Sequence, residues 1–245
     1  MKSRTYGWIP DIPDQRDYLY KTIKPRVRVS KTVDLRGKCS RIEDQGDLGS
    51  CTAQALAGNL EFLDNLPDEE YTDVSRLFIY YNERAIIHTI SYDSGAMLRD
   101  GIKTLKKEGV CEEKLWPYRI KSFTKRPPPK CYEDAKNHLI SSYYRIKTLG
   151  EMLNCFTEGF PFVFGFTVYE SFESKRVAQT GIVYMPKKDE SPLGGHAVVC
   201  VGYDRKKKRF LVRNSWGRKW GMEGYFTIPF KYLEILASDF WTIRK

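Results

Sequence analysis

The chain has 245 residues, 41% of them hydrophobic and 29% charged, with a formal net charge of +10. That balance excludes a disordered chain and leaves room for a sizeable hydrophobic core. No apolar run approaches the roughly 18 residues that would span a bilayer, and the basic start Met1-Lys2-Ser3-Arg4 lacks the apolar stretch of a secretory signal, so the sequence reads as intracellular with no membrane partner.

Residues 1–32 are polar, contain Pro10, Pro13 and Pro25, and are expected to form an extended arm. After Gly49-Ser50, residues Ala53, Leu56, Ala57, Leu60 and Leu63 recur at the spacing of one buried helix face, with Pro67 as its stop. A second helix is expected after Asp73 or Ser75, with Leu77, Phe78, Tyr81 and Ala85 on one side. A third runs from about Ala96 to Glu108. It points Leu98, Ile102 and Leu105 inward and Lys103, Lys106 and Lys107 into water, and Gly109 stops it. The basic, proline-rich stretch 119–130 reads as a domain crossover. Thr148-x-x-Glu151 is a capping box opening a further helix, with Leu149, Met152, Leu153 and Phe156 on its apolar face and Gly159 at its end.

The texture then becomes β. Phe162, Phe164, Phe166 and Val168 alternate, and short strand-like runs cover 197–203, 210–213 and 224–228. Helices first and strands later predict an α+β fold in two lobes with a cleft between them. The six cysteines (Cys39, Cys51, Cys111, Cys131, Cys155 and Cys200) are scattered and are expected to be mostly free thiols. Of the three histidines, His88, His138 and His196, none sits near a Cys, Asp or Glu at zinc-ligand spacing, so no metal is expected.

Chemistry points to three segments. Cys51 falls in the first turn of the helix after Ser50, where free backbone N–H groups and the helix dipole favour a thiolate. Its base is expected in Leu193-Gly194-Gly195-His196, with His196 at the start of an apolar strand and its ring exposed at a sheet edge. Asn214, after the next strand, could take the second imidazole N–H and fix the tautomer.

With these residues in this order, the sequence resembles the papain and cathepsin cysteine proteases, in style closest to bacterial or large-DNA-virus members. The matching segments are Val33-Asp34-Leu35-Arg36, Gln45-Gly46-x-x-Gly49-Ser50-Cys51, Gly195-His196-Ala197-Val198, Val201-Gly202-Tyr203 and Asn214-Ser215-Trp216-Gly217-x-x-Trp220-Gly221-x-x-Gly224-Tyr225. The resemblance implies a helical lobe over about 45–120 and a β-rich lobe over about 130–240, within a peptidase domain of 33–245. It implies a cysteine endopeptidase working through a thiolate–imidazolium pair and a thioester acyl-enzyme. Cys51 would be the nucleophile, His196 the proton donor, Asn214 its orienter and Gln45 the oxyanion donor. Trp216 would shield the His–Asn bond. Substrate would meet Ser94 and Gly95, an S2 pocket including Gly165, Gly194 and a residue near Ser238, and also Gly195 and Trp216. Peptides or proteins are the implied substrates, with no cofactor, and the chain is expected to be a monomer.

The family's bridge partners are replaced by Leu48 and Asp93, and its Trp after the nucleophile by Thr52. Losing both bridge partners together fits a reducing compartment, cytoplasmic or within a virion. Residues 1–32 are far shorter than the family's propeptide and are expected to lie across or beside the cleft as a short pro-segment of a zymogen, with Trp8 and Ile9 as anchors. The competing readings are a catalytically silent binding protein of the same fold, and an exopeptidase or transpeptidase using the same dyad. A nucleic-acid role for Arg205-Lys206-Lys207-Lys208-Arg209 is not expected, because the run reads as a solvated hairpin turn.

Overall fold

The computed structural model describes residues 4–20, 29–66 and 71–245. Of the residues used above, Met1, Lys2, Ser3, Pro25 and Pro67 lie outside them. Helix α1 (Cys51–Asp64) begins where the sequence places it, but the expectation of one buried face is corrected: all its residues are buried. It runs between α2 (Arg76–Ile86) and α3 (Leu98–Lys107) on one side and strands of the sheet on the other. A helix covered all round has no solvent face to make polar. Two of its polar side chains are paired across to neighbours: Thr52 donates to Glu83, and Glu61 accepts from Ser40 and Arg76, while the buried Asn59 carboxamide has no hydrogen-bond partner.

Ser75 caps α2 by accepting from the Phe78 N–H at 3.1 Å. On α3 the division holds: Leu98, Ile102 and Leu105 are buried, the three lysines are exposed, and Gly109 takes a left-handed φ of 76° just past the end. The proline run leads into a helix, α4 (Pro129–Ala135), with Pro129 in its first turn, where a missing N–H leaves no hydrogen bond unmade. Cys131 and Ala135 of α4 pack with the core of α1–α3.

The sheet is antiparallel throughout. Its strands are β1 (Thr32–Asp34), β2 (Ser142–Arg145), β3 (Phe162–Tyr169), β4 (Pro192–Asp204), β5 (Arg209–Arg213), β6 (Tyr225–Pro229) and β7 (Ala237–Arg244), ordered β2-β7-β3-β4-β5-β6 with β1 alongside β4. Both partners of the Thr148–Glu151 capping box are formed at the start of α5 (Leu149–Thr157). Short helices α6 (Lys175–Thr180) and α7 (Phe230–Leu236) complete the β side. An aromatic core that includes Phe156, Phe162, Phe164, Phe166, Phe210 and Phe226 fills it. Arg205 to Lys208 form the exposed β4–β5 turn, with Lys208 at a φ of 52°. No helix among the described residues is long and apolar enough to cross a membrane.

Candidate active site

Two elements bring the chemistry together. Cys51 is the first residue of α1, and β4 crosses that helix end so that the Ala197 N–H points at the Cys51 sulfur. His196, one residue earlier on β4, is fully buried and paired with Phe166 of β3. An exposed ring at a sheet edge is therefore corrected, because β4 is an interior strand and aromatic rings cover its face. The Trp216 ring stacks on the imidazole at 5.0 Å and 29°. His196 Nε2 and Asn214 Oδ1 are 2.8 Å apart, which assigns the Nε2–H to that bond and leaves the buried Nδ1 without a hydrogen-bond partner. Ser215 steadies the carboxamide by donating its backbone N–H to the same Oδ1 at 2.9 Å.

Gln45 is buried beside this group. Its Oε1 accepts from Ser215 Oγ at 2.7 Å, and its Nε2 donates to Leu48 O at 2.9 Å and to Thr5 O at 3.4 Å. The positions of the lost bridge are tied by other means. Asp93 accepts from the Gly49 N–H at 2.9 Å, next to Leu48, and from the Tyr80 hydroxyl, which itself accepts from the Gly95 N–H at 3.1 Å. A carboxylate and a phenol thus span the gap between the start of α1 and the loop carrying Gly95.

The arm lies in the cleft. Trp8 N–H donates to Gly195 O at 2.9 Å, Ala96 N–H to Gly7 O at 2.8 Å, and Ile9 N–H to Ala96 O at 2.9 Å, a parallel pairing of Trp8 with Ala96. A Cβ on Gly7 would stand 1.7 Å from Gly49 O, so only glycine passes there. The Trp8 ring occupies the space that side chains at Gly165 and Gly195 would fill, at 1.9 and 2.7 Å from their ideal Cβ positions. Tyr6 covers Gly194, packs against the His196 and Trp216 rings, and donates its hydroxyl to Glu173. Arg4 lies over Trp216 at 5.1 Å.

Of the sequence-derived contact residues, Gly95, Gly165, Gly194 and Gly195 touch the arm. Ser238 pairs with Gly165 across β7 and β3. Ser94 turns away, its hydroxyl bonded to Thr89 Oγ1 at 2.7 Å and Gly95 O at 2.8 Å. Ala96 is the residue that sequence reasoning missed. It acts through its backbone, which leaves no side-chain signal.

With the arm in place, burial pushes the Cys51 thiol up to about 12, and the N–H groups of Ala197, Gly7 and Thr52 only partly oppose it. Burial holds the His196 imidazole down to about 4. Both shifts oppose the expected thiolate–imidazolium pair. Burial in this arm-filled form thus works against charge on both groups.

The other thiols belong to packing; Cys155, for example, donates to Phe160 O at 3.4 Å and Thr242 Oγ1 at 3.3 Å inside the β-side core. All six cysteines are free. The fold also brings Glu112, Asp134 and His138 within 4.8 Å of one another, a proximity that sequence spacing did not flag. Asp134 there already accepts from the Glu112 N–H and Glu112 pairs with Lys114, so the cluster is accounted for by its own contacts.

Comparisons with known proteins point to one family. The family model described as papain family cysteine protease matches residues 29–233. A protein of Acanthamoeba polyphaga mimivirus, described as an uncharacterized peptidase C1-like protein, is 45% identical over 99% of this chain and 88% of its own length. The crystal structure of xylellain, a cysteine protease from Xylella fastidiosa, superposes with a TM-score of 0.91 at 41% identity, covering 100% of this chain and 98% of that one. Rat procathepsin L is 27% identical over 82% of this chain, which spans 61% of that protein's length.

Proposed function

The chain belongs to the papain family of cysteine proteases, with the two-lobed α+β fold and peptide-bond hydrolysis that membership carries, and from that premise we propose that it is an endopeptidase built on Cys51, His196, Asn214 and Gln45. The carrying observation is the buried His196–Asn214 bond of 2.8 Å, which leaves Nδ1 free on the strand that crosses the Cys51 end of α1. Cys51 attacks the scissile carbonyl. The Gln45 Nε2–H and the Cys51 backbone N–H receive the oxyanion, a donor of this kind being worth on the order of 3 kcal/mol in the transition state. His196 passes its proton to the departing amine, leaving a thioester on Cys51. It then takes a proton from the water that hydrolyses the thioester.

Residues 4–20 act in this reading as a short pro-segment. The arm presents the Gly7 N–H to the sulfur rather than a carbonyl carbon, engages Gln45 through Thr5 O, and fills the aromatic pocket with Trp8. When it leaves, water returns and the N-terminal N–H groups of α1 can lower the thiol, so the ion pair belongs to the open form. Six free thiols support a reducing compartment.

The test is labelling of the full chain with an epoxide-type inhibitor under reducing conditions, read by mass spectrometry, alongside cleavage of a dipeptidyl fluorogenic substrate. Trp8→Gly, which empties the pocket, is expected to react and cleave faster than wild type, and Cys51→Ala to do neither. A Trp8→Gly chain that neither reacts nor cleaves overturns the protease assignment of these residues. Wild-type chain that is fully active with the arm still docked overturns the pro-segment.

A further inference from the structure

Three residues beyond Trp8, the arm enters a second, charged socket. Arg99 of α3 and Arg145 of β2 lie on the Trp241 ring, their guanidinium carbons 5.7 and 5.2 Å from its centroid. Both are nearly out of water, with side chains 6% and 12% exposed. Asp17 of the arm takes Arg99 Nε at 3.0 Å and Nη2 at 2.7 Å, and also Arg145 Nη1 at 2.8 Å. Asp11 of the arm takes the Arg99 backbone N–H at 3.0 Å and the Trp241 Nε1–H at 2.8 Å. The body supplies one ion-paired carboxylate, Asp239, which accepts from Arg145 at 2.8 Å and from the Asp11 backbone N–H at 2.7 Å, with Asp100 of α3 near Arg99 but not bonded to it.

We propose that Arg99 and Arg145, with the Trp241 indole N–H and the Arg99 backbone N–H, form a carboxylate-reading subsite of the cleft, filled here by Asp11 and Asp17 and open to acidic residues of a peptide substrate once the arm is displaced. This rests on the protease reading above. The argument is one of charge. With the arm docked, three carboxylates face two guanidinium groups. Without it, one ion-paired carboxylate is left for two guanidinium groups, and two further N–H donors lose their acceptor. A buried guanidinium stripped of its partner is strongly destabilising, and its planar fork fits a carboxylate side-on, as Asp17 shows. A neutral peptide leaves that deficit in place, whereas an acidic one removes it. The register fits as well. Asp11 stands three residues from Trp8, about 10 Å of extended chain, so one peptide can fill the aromatic pocket and the socket together. The net charge of +10 draws acidic peptides from a distance.

The experiment uses the full chain carrying Cys51→Ala to prevent turnover, Trp8→Gly to free the pocket, and Asp11→Asn with Asp17→Asn to remove the carboxylates that fill the socket. Two dye-labelled peptides, each with a single Trp, are titrated by fluorescence anisotropy. One has Asp three residues to either side of the Trp, the other Asn in both places. The acidic peptide is expected to bind at least tenfold more tightly at low salt, with the advantage shrinking as NaCl is added. Adding Arg145→Gln, or independently Arg99→Gln, should bring the affinity ratio close to one in a chain whose circular dichroism is unaltered. Arg145→Lys should recover part of it. Equal affinities in the starting chain, a preference that survives both glutamine variants, or no binding of either peptide overturns the proposal. The same peptides offered to this chain with Cys51 intact separate the two readings: selective binding without cleavage removes the protease assignment and leaves the socket standing.

Discussion

Residues 5–9 of the arm meet the body mainly through backbone hydrogen bonds and two aromatic side chains, Tyr6 and Trp8, whereas residues 11–17 meet it through two carboxylates and two guanidinium groups. The first contact is one of shape. Gly7 slips past Gly49, Trp8 fills the hollow left by Gly165 and Gly195, and Ala96 supplies a donor and an acceptor. The ionisable groups at this contact are the catalytic pair it covers and Glu173, which accepts from the Tyr6 hydroxyl. The second contact is electrostatic and is embedded in a nearly dry site. One short segment is thus held at one end mainly by shape and at the other mainly by paired charges.

Breaking the shape end should have the largest effect. Truncating a large buried aromatic costs about 3 kcal/mol or more, so Trp8→Gly should raise the open fraction on the order of a hundredfold. Alkylation of Cys51 by a neutral reagent, followed by mass spectrometry, measures it. The variant should keep the salt dependence of opening, because Asp11 and Asp17 are untouched. A rate equal to that of wild type would mean that the indole does not hold the arm.

Asp17→Asn attacks the other end. Hydrogen bonds to charged groups are worth about 1.5–3 kcal/mol each, and Asp11 and Asp239 remain to share the guanidinium groups. An increase of ten- to thirtyfold in the same alkylation rate is expected. The distinguishing outcome is the salt profile. Opening of wild type should accelerate with NaCl, and opening of Asp17→Asn should depend on it only weakly. If the two profiles coincide, the charged end contributes nothing to docking.

The two contacts also differ in how far sequence reaches them. Gln45, Cys51, His196 and Asn214 are legible as a set because each sits in a local motif with glycines or tryptophans around it. The helices are legible from periodicity, and Thr148–Glu151 from its spacing. Trp8 stands out as an aromatic in a polar arm. The socket is not legible, because Asp11, Arg99, Arg145 and Asp239 come from four distant segments and share no spacing. Strands β1 and β7 escape for the same reason: the pairings of Val33 with Tyr203 and of Ser238 with Gly165 are set by the sheet rather than by alternation in their own residues. The burial of His196 escapes because strand order, invisible in one sequence, decides whether β4 is an edge.

The smallest effect sharpens the comparison most, since the charged end should have a pH response separable from that of the catalytic pair. Asp239 is faced by Arg145 of β2 and by Asp11 of the arm, with Asp17 and Arg99 beyond them. Burial, reinforced by Asp11, pushes the Asp239 carboxyl up to about 6, and burial raises Asp11 as well. Once the arm leaves, Asp11 departs and Asp239 regains water, so both return toward the ordinary carboxylate range near 4. The docked form therefore holds protons that the open form releases. By linkage, the carboxylate contribution to docking is strongest below about pH 4, weakens as pH rises toward 6 and levels off above it, while the buried His196 contributes with the opposite sign. Thiolate chemistry gives Cys51 alkylation a pH dependence of its own, and dividing wild-type rates by those of Asp239→Asn removes it. Asparagine is neutral at every pH and tolerates the positive φ of 56° at this position. The ratio should rise between pH 4 and 6, by at most about tenfold per unit, and stay level above 7. A ratio that falls with pH would mean that the carboxylates grip the arm harder as they ionise, and the sign of the charged contact would have to be reversed.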